Sequence, residues 1–169
     1  MRVYKLTDKD CATGKEYNPM TWGPDVTHEV EGKGELCSSG WIHAYSHPLI
    51  AIFMNPIHGD FKEPRLWECE AEGNTQDNNG SKLGVQKLTT IQEIPLPAAT
   101  QEHRIRFGIL CVKKVCAEPS WVAWANGWLS GKDRAAAAAA AAWAAAAAAS
   151  AANIDLIAIA EEAVKEVKP

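Results

Sequence analysis

From Ala135 to Ala152, sixteen of eighteen residues are alanine, with Trp143 and Ser150 the exceptions. Alanine has the best helix propensity of any residue, so this stretch predicts a helix. Such a helix has no charged face and would be poorly solvated alone. Its small side chains let helix backbones approach closely. It is therefore expected to be buried, either against helices of its own domain or against a second copy of the chain, which makes a homo-oligomer. The stretch is long enough to span a bilayer, but alanine carries too little hydrophobicity for that, and no membrane association is expected. It lacks the regular threonine spacing of an ice-binding helix.

Two compositions meet near Pro119. Residues 1–118 are rich in Gly, Pro and β-formers and read as an α+β domain with a small mixed or antiparallel sheet. Residues 119–169 read as an alanine-rich helical region packed on that domain or on a second subunit. In the tail, Trp121, Trp124, Ala125, Trp128 and Leu129 fall on one helical face, with Gly131 as its stop. Asp133 is expected to cap the alanine helix. Asn153 is expected to cap a last helix with Leu156, Ile157, Ala160, Val164 and Val167 as its stripe.

In the first region, Val3–Thr7 and Trp41–Tyr45 read as short strands separated by a turn-rich stretch. Ser46 is expected to cap a helix that His47-Pro48 opens and Asn55-Pro56 ends after Met54. Arg65–Ala71 alternates, with Trp67, Cys69 and Ala71 on one face and Glu68 and Glu70 on the other, the mark of a half-buried strand. Gly73–Gly80 reads as a polar loop ending in Asn-Gly. Lys82–Glu93 reads as the returning strand, irregular at Gly84 and stopped by Pro95 and Pro97. Arg104–Val112 also alternates, through Ile105, Phe107, Ile109 and Cys111, and predicts a central strand.

Composition narrows the function classes. Apolar residues make up 47%, enough for a folded core in 169 residues. A net charge of −4 argues against a general nucleic-acid binder. The five cysteines form no C-x-x-C pair, so a zinc ribbon or thioredoxin-like motif is excluded. Reduced cysteines and an N-terminus without an apolar signal region lead to the expectation of a cytoplasmic protein.

The densest group of chemistry-bearing residues is Cys37–Pro48. On a strand, Trp41, His43 and Tyr45 point to one side. They would form an aromatic shelf with one titratable group, suited to stacking a planar ligand. The plainer alternative is a buried strand whose histidine bonds a backbone group. His43 and His47 have the i, i+4 spacing of a helical metal pair, with Cys37 and His58 as extra ligands, but Ser46 and Pro48 start the helix between them. No metal site and no cofactor are expected. G-x-S-x-G, P-loop and G-x-G-x-x-G motifs are missing, and the carboxylates form no obvious acid/base pair.

VYKLTD, ELCSSGWIHAYSHPLIAIF, RLWECEAEG and KLGVQKLTTIQEI together resemble an uncharacterised family of bacterial, prophage and phage proteins. Its pattern LC-x-x-G-[WF]-H-A stands here as Leu36, Cys37, Gly40, Trp41, His43 and Ala44, with Ile42 interposed. The link from Trp124-Ala125 to Arg134 and the alanine-rich tail also resemble that family. The resemblance covers nearly the whole chain and carries no established activity. If the chain is phage-encoded, the resemblance implies the host cytoplasm.

The early strand and the Gly-x-aromatic-Ala layout are also similar to ADP-ribosyltransferase-like domains. That likeness implies ligand contacts from Tyr4 or Thr7 and from His43 and Tyr45, with Glu93 completing catalysis. No H-Y-E or R-S-E set can be read.

Three functions follow as expectations. The first is a phage accessory module that binds a nucleotide-type ligand on Tyr4, Thr7, Trp41, His43 and Tyr45 without catalysis, for anti-defence sequestration. The second is an ADP-ribosyltransferase-like enzyme acting on a nicotinamide nucleotide through His43 and Glu93. The third is a structural or host-protein-binding oligomer.

Overall fold

The computed structural model describes residues 1–14, 18–132 and 153–165. The expected Ala135–Ala152 helix, its Asp133 cap, Arg134 and Val167 lie outside them, and so does the surface expected to build an oligomer. The chain divides into two compact units, Met1–Pro97 and Ala98–Pro169.

The first unit is built on one sheet. Strand β1 (Arg2–Thr7) pairs antiparallel with β6 (Arg65–Asp77), in the register Val3↔Cys69, Lys5↔Trp67 and Thr7↔Arg65. β6 and β7 (Leu83–Ile94) form a long hairpin. β4 (Thr27–Glu29) and β5 (Ile42–Ala44) both pair antiparallel with β7, through Thr27↔Thr89 and Ile42↔Val85. Tyr4 and Tyr45 exchange two backbone hydrogen bonds of 2.8 Å each. The path β1–β6–β7–β5 thus returns to β1 through this bridge, while β4 stays at the end of the sheet, paired to β7 alone. A separate hairpin joins β2 (Ala12–Thr13) to β3 (Met20–Thr21). The class is α+β, as expected from the sequence.

The alternation in β6 does what a period of two requires: Trp67, Cys69 and Ala71 are buried while Glu70 and Glu72 are exposed. They join Val3, Trp22, Ile42, Ala44, Val85 and Leu88 in one core. Lys5 and Thr7 share the parity of Val3 and are buried too. Two polar side chains therefore lie on an otherwise apolar face.

Several local expectations are corrected. Gly73–Gly80 is not a loop, because β6 runs on to Asp77. The turn is confined to Asn78–Lys82, where Asn79 and Gly80 take φ of 49° and 75° and Asp77 accepts from the Gly80 N–H. The sheet irregularities fall in β6, at Glu68/Cys69 and Glu72/Thr75, not at Gly84. Helix α1 (Pro48–His58) is capped by His47, whose Nδ1 accepts from the Leu49 N–H, and not by Ser46. It continues through Pro56 to His58, and the Asn55 side chain ties down the returning chain at Phe61.

The second unit is helical where described. Arg104–Val112, expected as a central strand, lies inside helix α2 (Gln101–Val115). Thr100 and His103 form a reciprocal cap, Glu102 sits in the first turn and Lys113 and Lys114 in the last. Buried residues run unbroken from Arg106 to Cys111, so apolar side chains recur more densely than one stripe and mimic a period of two. Helix α3 (Pro119–Leu129) is capped by Glu118, with Pro119 in its first turn. Its Trp128 and Ala125 pack with Ile109 of α2, and Gly131 at φ 79° ends it as expected. Helix α4 (Leu156–Ala163) is capped by Asp155 and not Asn153; its buried residues are Leu156, Ile159, Ala160 and Ala163. The Arg106 Nε donates to the Ala163 carbonyl at 3.0 Å and ties α2 to α4.

Candidate functional site

The segment before β5 is folded back by its own motif residues. The Trp41 Nε1–H donates to the Gly34 carbonyl at 3.0 Å, and the His43 Nε2 meets the Leu36 carbonyl at 2.6 Å. A carbonyl only accepts, so His43 carries its proton on Nε2 and keeps Nδ1 as an acceptor. A Cβ at Gly40 would sit 2.1 Å from the Lys33 carbonyl oxygen, and one at Gly84 would meet Leu36 and the Trp41 ring. Leu36, Gly40, Trp41 and His43 are therefore bound together as one clasp over β7.

Beneath this clasp lies a cavity of about 530 Å³. Trp41, Ile42 and His43 form one wall, Cys37, Ser38 and Ser39 a second, and Thr13, Gly14, Asn18 and Met20 a third. Lys5 reaches it from β1. None of these described lining residues is a carboxylate. The volume falls in the ordinary range for small-molecule sites.

Lys5 is buried, donates to the His43 carbonyl at 2.7 Å and lies 5.1 Å from the centre of the Trp22 ring. Burial lowers its pKa to about 8, against the opposing influence of Cys69. Burial also holds His43 below its ordinary value, helped by the charges of Lys82 and Lys5 and opposed by the bond to Leu36. His43 is thus neutral near pH 7.

Behind the Cys37 wall, Lys82 is buried with its Nζ 3.0 Å from the Cys37 Sγ. The rings of Tyr45 and His58 stack with centroids 6.1 Å apart. The His58 Nδ1 is buried with no hydrogen-bond partner among the described groups. Burial, then Lys82 and His43, push the His58 pKa down to about 4. Burial pushes the Tyr45 phenol up.

Of the five residues expected to hold a ligand, the cavity brings together Trp41 and His43. Tyr45 turns to His58. Thr7 is fully buried, accepting from the Trp67 Nε1–H and donating to the Asp8 carbonyl. Tyr4 is half-buried on the opposite face of β1 from Lys5. Glu93 and His43 are not brought together. His43 pairs with Gly84, nine residues before Glu93 on β7, which at about 3.3 Å per residue is roughly 30 Å. Glu93 instead forms a two-pronged ion pair with Arg65, which lowers its pKa. Lys5 and the serines of the Cys37–Ser39 wall were missed. A lysine at the parity of Val3 on a buried strand was the available signal for the first.

Among the described residues, no three His, Cys, Asp or Glu side chains gather as a metal site. Nor is any described helix long and apolar enough to cross a membrane. All five cysteines are free thiols.

The fold and cavity define a small α+β domain with an open pocket of mixed apolar and polar lining and no carboxylate on its described walls. A family model described as a domain of unknown function, DUF7666, matches residues 1–102, and the chain belongs to that family. The match spans the whole first unit and the first residues of α2. No curated protein and no solved structure matches the chain.

Proposed function

We propose that the first unit binds a small nucleotide-type ligand in the cavity under the Trp41–His43 clasp, without converting it. The observation that carries this reading is the make-up of the walls. An indole and a neutral imidazole offer apolar and stacking surface. The hydroxyls of Thr13, Ser38 and Ser39 and the Asn18 amide offer hydrogen bonds, and Lys5 supplies a cation with no carboxylate among the described lining residues. Such a site favours a planar group carrying an anion, since a negative ligand meets no like charge on the described walls.

The absence of turnover rests on chemistry. The carboxylate expected to complete catalysis, Glu93, is bound to Arg65 and lies far along β7 from His43. Binding without turnover suits sequestration of a nucleotide signal, the anti-defence role expected of a phage-encoded member in the host cytoplasm.

The test is to incubate the full chain with NAD, cyclic dinucleotides and cyclic ADP-ribose-type nucleotides, separate it from free ligand, denature it by heat and weigh the released molecules. Stoichiometric recovery of one intact nucleotide from wild type, lost in Lys5→Met, is the expected result. Recovery of converted products would replace the binding module with an enzyme. Recovery of nothing would leave the cavity without a nucleotide role.

A further inference from the structure

Lys82 is 6% exposed, yet no carboxylate among the described residues pairs with it. Buried lysines are almost always paired, and a thiol sulfur is a weak acceptor. The described partner of the Lys82 Nζ is the Cys37 Sγ at 3.0 Å, and Cys37 itself is exposed. One end of the pair thus meets solvent-borne reagents while the other is held inside. Both ends are fixed by neighbours. The Leu36 carbonyl is bound by His43, and Leu83, next to Lys82, pairs with Ala44.

We propose that Cys37 and Lys82 form an oxidation site, at which an oxidant of the peroxide class joins Sγ to Nζ through a single oxygen atom. Written from the thiol and the neutral amine, the S–H bond and one N–H bond break and S–O and O–N bonds form. Sulfur and nitrogen each lose two electrons. Two molecules of hydrogen peroxide accept the four electrons. One of their four oxygens becomes the bridge and three leave as water. Holding both nucleophiles in contact makes the second bond an intramolecular step. It also competes with further oxidation of the cysteine alone, which otherwise proceeds from sulfenic to sulfinic acid.

Three of the other four cysteines are set apart by their surroundings. Cys11 lies 2.8 Å from the Arg65 Nη1, but a guanidinium stays protonated and offers no amine lone pair. Cys69 and Cys111 are buried away from solvent. The bridge would fasten the Cys37–Ser39 wall of the cavity to the start of β7. The inference rests on the two atoms and their exposure, and stands whatever occupies the cavity.

The experiment treats the reduced full chain with hydrogen peroxide, digests it and maps the products by mass spectrometry. The expected product joins the Cys37 and Lys82 peptides at their summed mass plus one oxygen and less two hydrogens. Dithiothreitol reverses it, and Lys82→Arg abolishes it while Cys37 goes on to sulfinic acid. In wild type, Cys37 oxidised alone, a direct sulfur–nitrogen bond without the oxygen, or an unmodified Cys37 would each overturn the proposal. The wild-type map decides the question even if the Lys82→Arg chain does not fold.

Discussion

The Lys5 ammonium on β1 donates to the carbonyl of His43 on β5, 2.7 Å away, and so places a cation between the sheet core and the wall of the cavity. That cation is held at a cost, since burial lowers its pKa from 10.5 to about 8. Between those two values the unfolded chain keeps a proton on this lysine that the folded chain has released. The destabilising contribution is therefore full below pH 8 and fades as pH rises towards 10.5. Cys69, Cys111 and Tyr45 act in the opposite sense at alkaline pH, because burial raises their pKa values. The difference between wild type and Lys5→Met isolates the lysine. Wild type should gain about 1–3 kcal/mol relative to Lys5→Met between pH 7.5 and 10, read from urea unfolding at each pH. A constant difference across that range would show that Lys5 is solvated.

The clasp over β7 depends on the missing side chain at Gly84. A Cβ there would come within 2.5 Å of the Leu36 Cδ1 and 3.0 Å of the Trp41 ring. Both neighbours are themselves held, Trp41 through Gly34 and Leu36 through His43. Gly84→Ala should destabilise the first unit by about 1–3 kcal/mol and weaken ligand capture with it. Gly127→Ala meets nothing within 4 Å and serves as the control. Equal melting temperatures for the two variants would mean that the clasp yields freely.

His58 carries a buried ring nitrogen with no partner among the described groups, beside the charge of Lys82. Its pKa falls from 6.5 to about 4, so the unfolded chain takes up a proton first as pH drops. Stability from this position is intact above pH 6.5 and is lost as pH falls towards 4. His58→Phe keeps a ring against Tyr45 and removes both the orphan nitrogen and the proton uptake. It should raise stability at pH 7 by about 1 kcal/mol and flatten the decline between pH 6.5 and 4. An unchanged acid limb would assign that decline to other groups.

Where the sequence was legible, one local signal decided the structure. Trp67, Cys69 and Ala71 alternate with glutamates and form the buried face of β6. Gly131 ends α3, and Tyr45 follows a strand that begins near Trp41. Where it was not, distant partners decided. β6 holds Gly73–Asp77 in strand form because β7 offers Val85 and Leu83 as partners, although the segment is polar throughout. The Trp41–His43–Tyr45 shelf had the right parity, yet α1 brings His58 to Tyr45 and takes that ring away from the cavity. Lys5 was marked by its parity with Val3, but Lys82 could be found only by its surroundings, since an isolated lysine at a strand's start reads as an exposed one.

Phe107 tests the largest correction, the change of Arg104–Val112 from strand to helix. It is 2% exposed in α2, between Arg106, which bonds the Ala163 carbonyl, and Ile109, which packs on Trp128. Phe107→Ala should cost about 3–5 kcal/mol, as removal of a buried ring does in either geometry. The discriminating variant is Gly108→Pro. In a helix it removes the bond to Arg104 and clashes with its carbonyl, at a cost of about 3 kcal/mol or more, with loss of helical signal in circular dichroism. Retention of helical signal in Gly108→Pro would place residue 108 outside a regular helix and return the segment to the strand that its alternation suggests.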